Sequence, residues 1–583
     1  MKRWFKYIKP YLPAFILGPL CMIVEVIGEV IMPRLLATVI NSATEPHIYG
    51  ALTLTSAILT GILIIGVAIF MMIGGVGGAY FGAKASVNFA ADLRRDIFGK
   101  VQKFSFANID KFSTGSIVTR LTNDVNQVQM FINMLLRMAL RAPGMMIGGL
   151  IMAIIIKPSL SIVFAVTMPL MLITIGVIIA IGFPRFALMQ KKVDRLNSTV
   201  QENVTNVRVV KSFVRENTET EKFRLANSEL RGAGMKAMKT VIFMIPVMNI
   251  FMYITVIAVI WLGHGIVLSP DGGMSVGDLV NFVTYVTQIL TSLMMITMLL
   301  MTASRALASG KRICEVLDET LDLSDEGATF PEKTVRFGDV EFKDVSFRYY
   351  KNNSEWVLEK INLKIESGST VGIIGSTGCG KTTLISMIPR LYDVDDGDVL
   401  VDGISVKDYS LTNLRDGIGM VLQKNLLFSG TIAENLRWGD ENATDEDVKL
   451  AAAHSAADKF VSTFKEGYDT LLEKGGVNVS GGQKQRLCIA RALVKKPKIL
   501  ILDDSTSAVD TATEKQIRES LKSELPECTK IIIAQRISSV MDADKIVVMN
   551  EGRITGIGSH DELLASNTEY QEIYYSQTDK KEA

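Results

Sequence analysis

Nearly every long apolar run in this sequence lies before residue 304, and six of those runs are long enough to cross a bilayer. A hydrocarbon core of about 30 Å needs about 20 apolar residues in a helix that spans it. Lipid offers no partner to backbone N–H and C=O groups, so such runs have to be helical. The spans fall at about residues 13–40, 52–82, 134–156, 159–183, 241–268 and 276–303. Their connections alternate in kind. Those at 42–50, 157–158 and 269–275 are short and hold only one Lys or Arg, Lys157. Those at 84–133 and 185–240 are long and basic. Cytoplasmic loops collect Lys and Arg, so the long connections and both termini are expected in the cytoplasm, with the chain multi-pass in the cell membrane. Amphipathic flanks suggest that the helices run on past the bilayer as long cytoplasmic extensions.

The remaining sequence reads as a soluble α/β domain. The chain has 583 residues, which is more than one ordinary domain of roughly 100–200 residues. We expect a membrane all-α domain at 1–303, a linker at 304–337 and an α/β nucleotide-binding domain at 338–583. Net charge is +1, so bulk charge does not point to nucleic acid, and no such partner is expected. Five cysteines, Cys21, Cys314, Cys379, Cys488 and Cys528, lack metal-ligand spacing and suit a reducing compartment as buried thiols. The basic start, with Lys2, Arg3, Lys6 and Lys9, resembles a signal, but the apolar run from Tyr11 to Ile40 is too long and contains Glu25 and Glu29. Residues 1–10 are expected to lie on the inner membrane surface, with Trp4, Phe5 and Tyr7 among headgroups and the lysines toward phosphates.

Two features of the spans concern packing and charge. Gly74, Gly78 and Gly82 recur every fourth residue, so they share a helix face and admit a close neighbour. Glu25 and Glu29 also share a face inside the first span. Intramembrane carboxylates are costly. They form either a cation-attracting patch in a substrate cavity or a buried pair with a base such as Arg34, Arg137 or Arg141.

The α/β part carries phosphate chemistry. Gly375-Ser376-Thr377-Gly378-Cys379-Gly380-Lys381-Thr382 matches G-x-x-x-x-G-K-[ST] at every position. It follows an apolar strand, Thr370 to Ile374, and opens a helix from Thr383 to Ile388, the context this loop requires. Its glycines let backbone N–H groups wrap a β-phosphate, Lys381 reaches the β- and γ-phosphates, and the Thr382 hydroxyl ligates magnesium. Thr383 joins this ATP-binding set, and ATP and Mg2+ are the expected cofactors. Farther on, Ile499 to Leu502 form a buried strand that ends at Asp503, where a carboxylate holds magnesium through water.

At Ser480-Gly481-Gly482-Gln483, followed by Lys484-Gln485-Arg486, the sequence resembles the signature of ABC transporters. The resemblance covers the whole chain and matches the exporter class in which six spans precede one nucleotide-binding domain, a half-transporter. It implies that Tyr349 stacks on adenine and that Gln423 touches magnesium. It also implies that Glu473 contacts the coupling loops and that Ser507-Ala508-Val509-Asp510 crosses a dimer interface. Phe112 to Gly115 and Val210 to Phe213 are similar to the two loops that dock on nucleotide-binding domains. Ser480 to Gln483 cap a helix whose positive end suits a γ-phosphate, in the family one held by the other domain, so function implies a dimer.

Two positions depart from the family pattern. Asp504 stands where most members have the glutamate that polarises the attacking water. Its carboxylate falls about 1 Å short, a displacement that costs about 10²-fold in rate. Gln535 stands where the family has a histidine, and it donates a hydrogen bond without carrying positive charge. The pocket is therefore expected to hold ATP and cleave it poorly, while the signature completes a partner's site. That resembles the degenerate subunit of bacterial heterodimeric multidrug exporters, acting on small amphipathic substrates among membrane lipids. A homodimeric lipid or drug flippase with slow ATPase stays open, as does a mainly regulatory ATP-binding subunit.

Overall fold

The computed structural model describes residues 2–49, 53–269, 273–325, 327–349, 355–505 and 508–578. Ser507 of the expected dimer-crossing loop, and parts of the short connections at 42–50 and 269–275, lie outside these residues. The chain divides into two compact units. One comprises Met1–Val101 and Gly115–Asp318, and the other Gln102–Thr114 and Glu319–Ala583.

Among the described residues, the first unit contains six helices that are long and apolar enough to cross a membrane: Arg3–Thr44, Leu54–Gln102, Thr114–Ile156, Pro158–Thr205, Glu216–Leu268 and Val276–Asp318. They are 42 to 53 residues long. At about 1.5 Å per residue, each far exceeds the bilayer core. The sixth helix continues to Asp318, through the first part of the stretch at 304–337 that was expected to be linker.

The glycine face of the second helix is met by the first. A Cβ on Gly74 would lie 2.8 Å from the Cys21 carbonyl oxygen and 3.0 Å from the Glu25 nitrogen. Spans four and five run side by side, with Lys192 and Arg195 both paired to Glu229. Phe282, Val286 and Ile289 of the sixth helix form a buried core with Phe164 and Met171 of the fourth. Near the amino-terminal end of the third helix, Arg120–Asp124 is a π-helical turn. Asp124 accepts there from Arg312 Nε at 2.8 Å and Ser309 Oγ at 2.9 Å, while Arg120 pairs with Glu315. A π turn widens the helix locally and often marks a working segment.

The amino-terminal helix corrects one expectation. Trp4 stacks on Phe89, and Tyr7 is buried, with its hydroxyl donating to Asp96 at 3.0 Å. Lys6 pairs with Asp96 and Arg3 with Asp318. These groups answer protein partners rather than headgroups and phosphates, because the extended second and sixth helices supply acids within reach. Of the three aromatics, Phe5 alone is exposed.

Among the described residues the second unit holds twelve strands: β1 (Val340–Phe347), β2 (Leu358–Ile365), β3 (Thr370–Gly375), β4 (Asp396–Val401), β5 (Ile404–Ser405), β6 (Ile418–Val421), β7 (Gly430–Thr431), β8 (Leu471–Leu472), β9 (Ile499–Asp503), β10 (Thr529–Ile533), β11 (Lys545–Asn550) and β12 (Arg553–Gly558). One sheet is antiparallel, in the order β2-β1-β4-β5. The main sheet runs β12-β11-β3-β10-β9-β6, parallel except for β12. Its central strands are buried on both faces and read as continuous apolar runs. Register is what matters for function. Ile533 lies opposite both Ile373 and Asp503, so β10 and β9 finish level and β3 runs on to Gly375 at the same edge. The loops that follow all three therefore meet at one edge of the sheet, where ligands collect in open α/β folds.

Candidate ATP site

The phosphate loop leaves β3 at Gly375 and enters the helix Lys381–Met387, which begins two residues earlier than the sequence suggests. Gly378 and Gly380 have φ of +88° and +96°, and only glycine adopts such angles at no steric cost. At Gly380 a side chain would also strike Leu358 and the Val357 carbonyl. Lys381 Nζ donates to the carbonyls of Gly375 at 2.9 Å and Ser376 at 2.7 Å, within the loop itself. Cys379 is buried with its sulfur 3.6 Å from that ammonium. Two other cysteines, Cys21 and Cys314, are only partly buried, contrary to the expectation for all five.

A cavity of about 290 Å³ opens beside this loop. It is lined by Thr377, Gly378, Gly380, Lys381, Thr382 and Thr383 of the loop and its helix, together with Gln423, Asp503, Asp504 and Gln535. Tyr349 closes one end, its hydroxyl 2.9 Å from Thr383 Oγ1 and its ring edge-on to Phe347 and Tyr392. Residues drawn from five separate stretches of sequence thus share one pocket.

Thr382 Oγ1 lies 2.9 and 3.1 Å from the two oxygens of Asp503. Asp503 is almost fully buried, and burial pushes its carboxyl above the usual range, with nearby Asp504 adding to the rise. This pair of hard oxygen donors fits Mg2+, which takes one or two protein oxygens and keeps the rest for water and phosphate.

Asp504 and Gln535, the two departures from the family pattern, touch each other. Gln535 Nε2 donates to Asp504 Oδ2 at 2.9 Å. The Gln423 amide also favours the charged form of this carboxylate. Burial raises the Asp504 carboxyl as well, opposed by these amides and by the charges of Lys381 and Arg536. The Asp504 backbone has φ of +46°, the left-handed region where aspartate is enriched among non-glycine residues.

The signature lies apart from this pocket. Ser480 caps the helix Gly481–Val494 in a reciprocal box: Gln483 N donates to Ser480 Oγ at 3.3 Å, and Ser480 N to Gln483 Oε1 at 2.8 Å. A side chain at Gly482 would lie 2.8 Å from the Ala508 carbonyl oxygen. Glu473 is exposed. Of the two expected docking loops, the first belongs to the nucleotide-binding unit. Its helix Phe106–Lys111 sets Asp110 to accept from the Tyr392 hydroxyl at 3.0 Å. The second is the short helix Val207–Ser212, followed by exposed Phe213 and Val214. In the spans, Arg141 pairs with both Glu25, at 3.1 Å, and Glu29, at 2.5 Å, choosing among the three bases the sequence offers.

Two residues here carry no sequence signal, and a third, Gln485 beside the signature, has a partner that the sequence does not reveal. Gln485 accepts from the Ala508 N–H at 3.0 Å, tying the signature helix to the segment after Asp504. Tyr392 joins Tyr349 to Asp110, and Gln577 grips the backbone around Gln535. Their roles rest on partners far away in sequence, which no spacing rule reports.

Comparison with known proteins bears out the family. The ABC transporter transmembrane region matches residues 15–293, and the ABC transporter domain matches residues 358–507. The chain is 37% identical over 577 residues to the ABC transporter ATP-binding protein YfiB of Bacillus subtilis, covering 99% of this chain and 98% of the relative. It is 31% identical over 588 residues to the ATP-dependent lipid A-core flippase of Hahella chejuensis, covering 100% and 97%. A bacterial Atm1-family ABC exporter solved with ATP bound shares the fold, with a TM-score of 0.79, 24% identity and coverage of 97% and 98%. Six membrane-spanning helices fused to one ATP-binding domain, the fold of an exporter, and relatives matched from end to end place the chain in the ABC transporter family, as an exporter half-transporter.

Proposed function

We propose that this chain is one subunit of an ATP-driven exporter that moves amphipathic drugs or lipid-like molecules out of the cytoplasm by alternating access. Its own pocket grips MgATP and cleaves it slowly, and its signature helix completes the faster site on a partner half-transporter. Membership of the family already implies ATP with Mg2+, hydrolysis and a dimer. The heterodimer, the slow pocket and the drug-like cargo are the further step.

One observation carries this reading: the hydrogen bond from Gln535 to Asp504. The two positions that depart from the family pattern are in contact. A shortened carboxylate is steadied by a neutral amide that cannot balance developing negative charge as an imidazolium would. The groups for binding remain. Thr382, Asp503 and Gln423 would hold the ion, and Lys381 the phosphates. Tyr349 would stack on the base. When bound, MgATP supplies the phosphoryl group whose transfer to water drives the cycle. The segments around Phe106–Lys111 and Val207–Ser212 would carry closure of the nucleotide-binding domains, on the cytoplasmic face, to the spans. Glu25 and Glu29 would face the cargo only when Arg141 releases them.

A second reading, a homodimeric lipid flippase with slow turnover, draws on the 31% identity to the lipid A-core flippase. The test restores Asp504→Glu together with Gln535→His in the purified complex. Turnover at this pocket is expected to rise by about 10²-fold. Unchanged turnover and nucleotide occupancy would overturn the slow pocket.

A further inference from the structure

Gln577 belongs to no motif, yet its side chain holds both ends of the short segment that carries Gln535. Its Nε2 donates to the Gln535 carbonyl at 2.8 Å. Its Oε1 accepts from the Ile537 N–H at 2.9 Å. One planar amide thus answers an acceptor and a donor two residues apart, as a neighbouring strand would. β10 ends at Ile533, so Gln535 and Ile537 lie beyond the ladder of the sheet. The same segment is held from another side, where Arg518 Nη1 donates to the Ser538 carbonyl.

The helix that carries Gln577, Thr568–Thr578, is itself anchored. Tyr570 is fully buried in the core, its N–H donating to Asn567 Oδ1 at 2.8 Å and its hydroxyl 2.7 Å from His560 Nδ1. Seven residues, close to two turns, separate Tyr570 from Gln577, so both lie on one face. The buried phenol sets the roll of the helix, and the roll aims the amide.

We propose that Gln577 is a positioning residue for Gln535, so that the carboxy-terminal helix sets where the Gln535 amide meets Asp504. This rests on the roles given to Asp504 and Gln535 above. Side-chain direction follows from backbone here: with the Gln535 peptide pinned, Nε2 reaches Asp504 Oδ2 at 2.9 Å. Released, the segment rotates and the amide leaves the carboxylate.

The test uses the full-length chain in lipid nanodiscs without a second half-transporter, so that the turnover read is that of this pocket, with MgATP as probe. In Gln577→Ala, amide exchange across residues 534–540 should rise roughly fivefold, the weight of one hydrogen bond. The kcat for ATP should fall by a similar factor with KM unchanged. Gln577→Glu keeps the acceptor for Ile537 and loses the donor to Gln535, so its exchange should lie between wild type and Gln577→Ala. Gln535→Ala should reproduce the fall in kcat, and adding Gln577→Ala to it should cost nothing more, since one residue acts through the other. Unchanged exchange, a raised KM or additive losses would overturn the inference. Should Gln535→Ala leave turnover untouched while Gln577→Ala still loosens the segment, the reading of the pocket falls, and the positioning role with it.

Discussion

Asp503 owes its place to two features that oppose each other. The strand buries it, which disfavours its charged form, and the Thr382 hydroxyl donates to it, which favours that form. Thr382→Val keeps the shape and removes the donor. The Mg2+ concentration for half-maximal nucleotide binding is then expected to rise about tenfold or more, read by titrating the metal against a fluorescent ATP analogue. Binding that is indifferent to this change would remove Thr382 from the metal site. Asp504 shows a different constraint. At φ +46° its backbone occupies a region costly for most side chains, one that aspartate tolerates better than most. The sequence shows the substitution of aspartate for glutamate and of glutamine for histidine. It does not show that the two new residues are hydrogen-bonded, because 31 positions separate them and only the register of β9 with β10 brings them together.

At the scale of elements, the crossing of the first two spans depends on the absence of side chains. Helices in lipid gain little from burying apolar surface against one another, so close backbone approach matters more than it does in water. Gly74 faces the backbone of the first span at Cys21 and Glu25. Gly61, on the same helix, has nothing within 4 Å of its Cβ direction. Gly74→Val should therefore destabilise the transporter by about 1–3 kcal/mol through overpacking, while Gly61→Val should be near neutral. Thermal unfolding in detergent, followed by size-exclusion fluorescence, checks both. Equal melting of the two variants would separate the glycine spacing from packing. Here the fourfold spacing was legible in sequence, and the partner helix was not. The headgroup role for Trp4 and Tyr7 failed for a related reason. Amphipathic character says that a face will be buried, and the neighbouring helices decide against what.

For the whole molecule, the two candidate half-sites of one chain make separable claims. In the proposed asymmetric assembly, Gly482→Asp would place a side chain against Ala508 and a charge at the signature helix start, disabling the partner's fast site. Steady-state ATPase of the complex should fall by about 10²-fold or more. Lys381→Ala, which touches only this chain's slow pocket, should leave most of that ATPase in place. In a homodimer both substitutions would abolish it, so a phosphate-release assay on the two variants separates the assemblies. By itself the sequence determined the six spans and the phosphate loop, since bilayer thickness and phosphate geometry each demand an unbroken local pattern such as Gly375 to Thr382. Only the tertiary structure decided which base answers Glu25 and Glu29, which hydroxyl meets Asp110, and which amide holds the Gln535 segment. Those are contacts between residues far apart along the chain, and helix packing and strand register, rather than spacing, bring such residues within a hydrogen bond of each other.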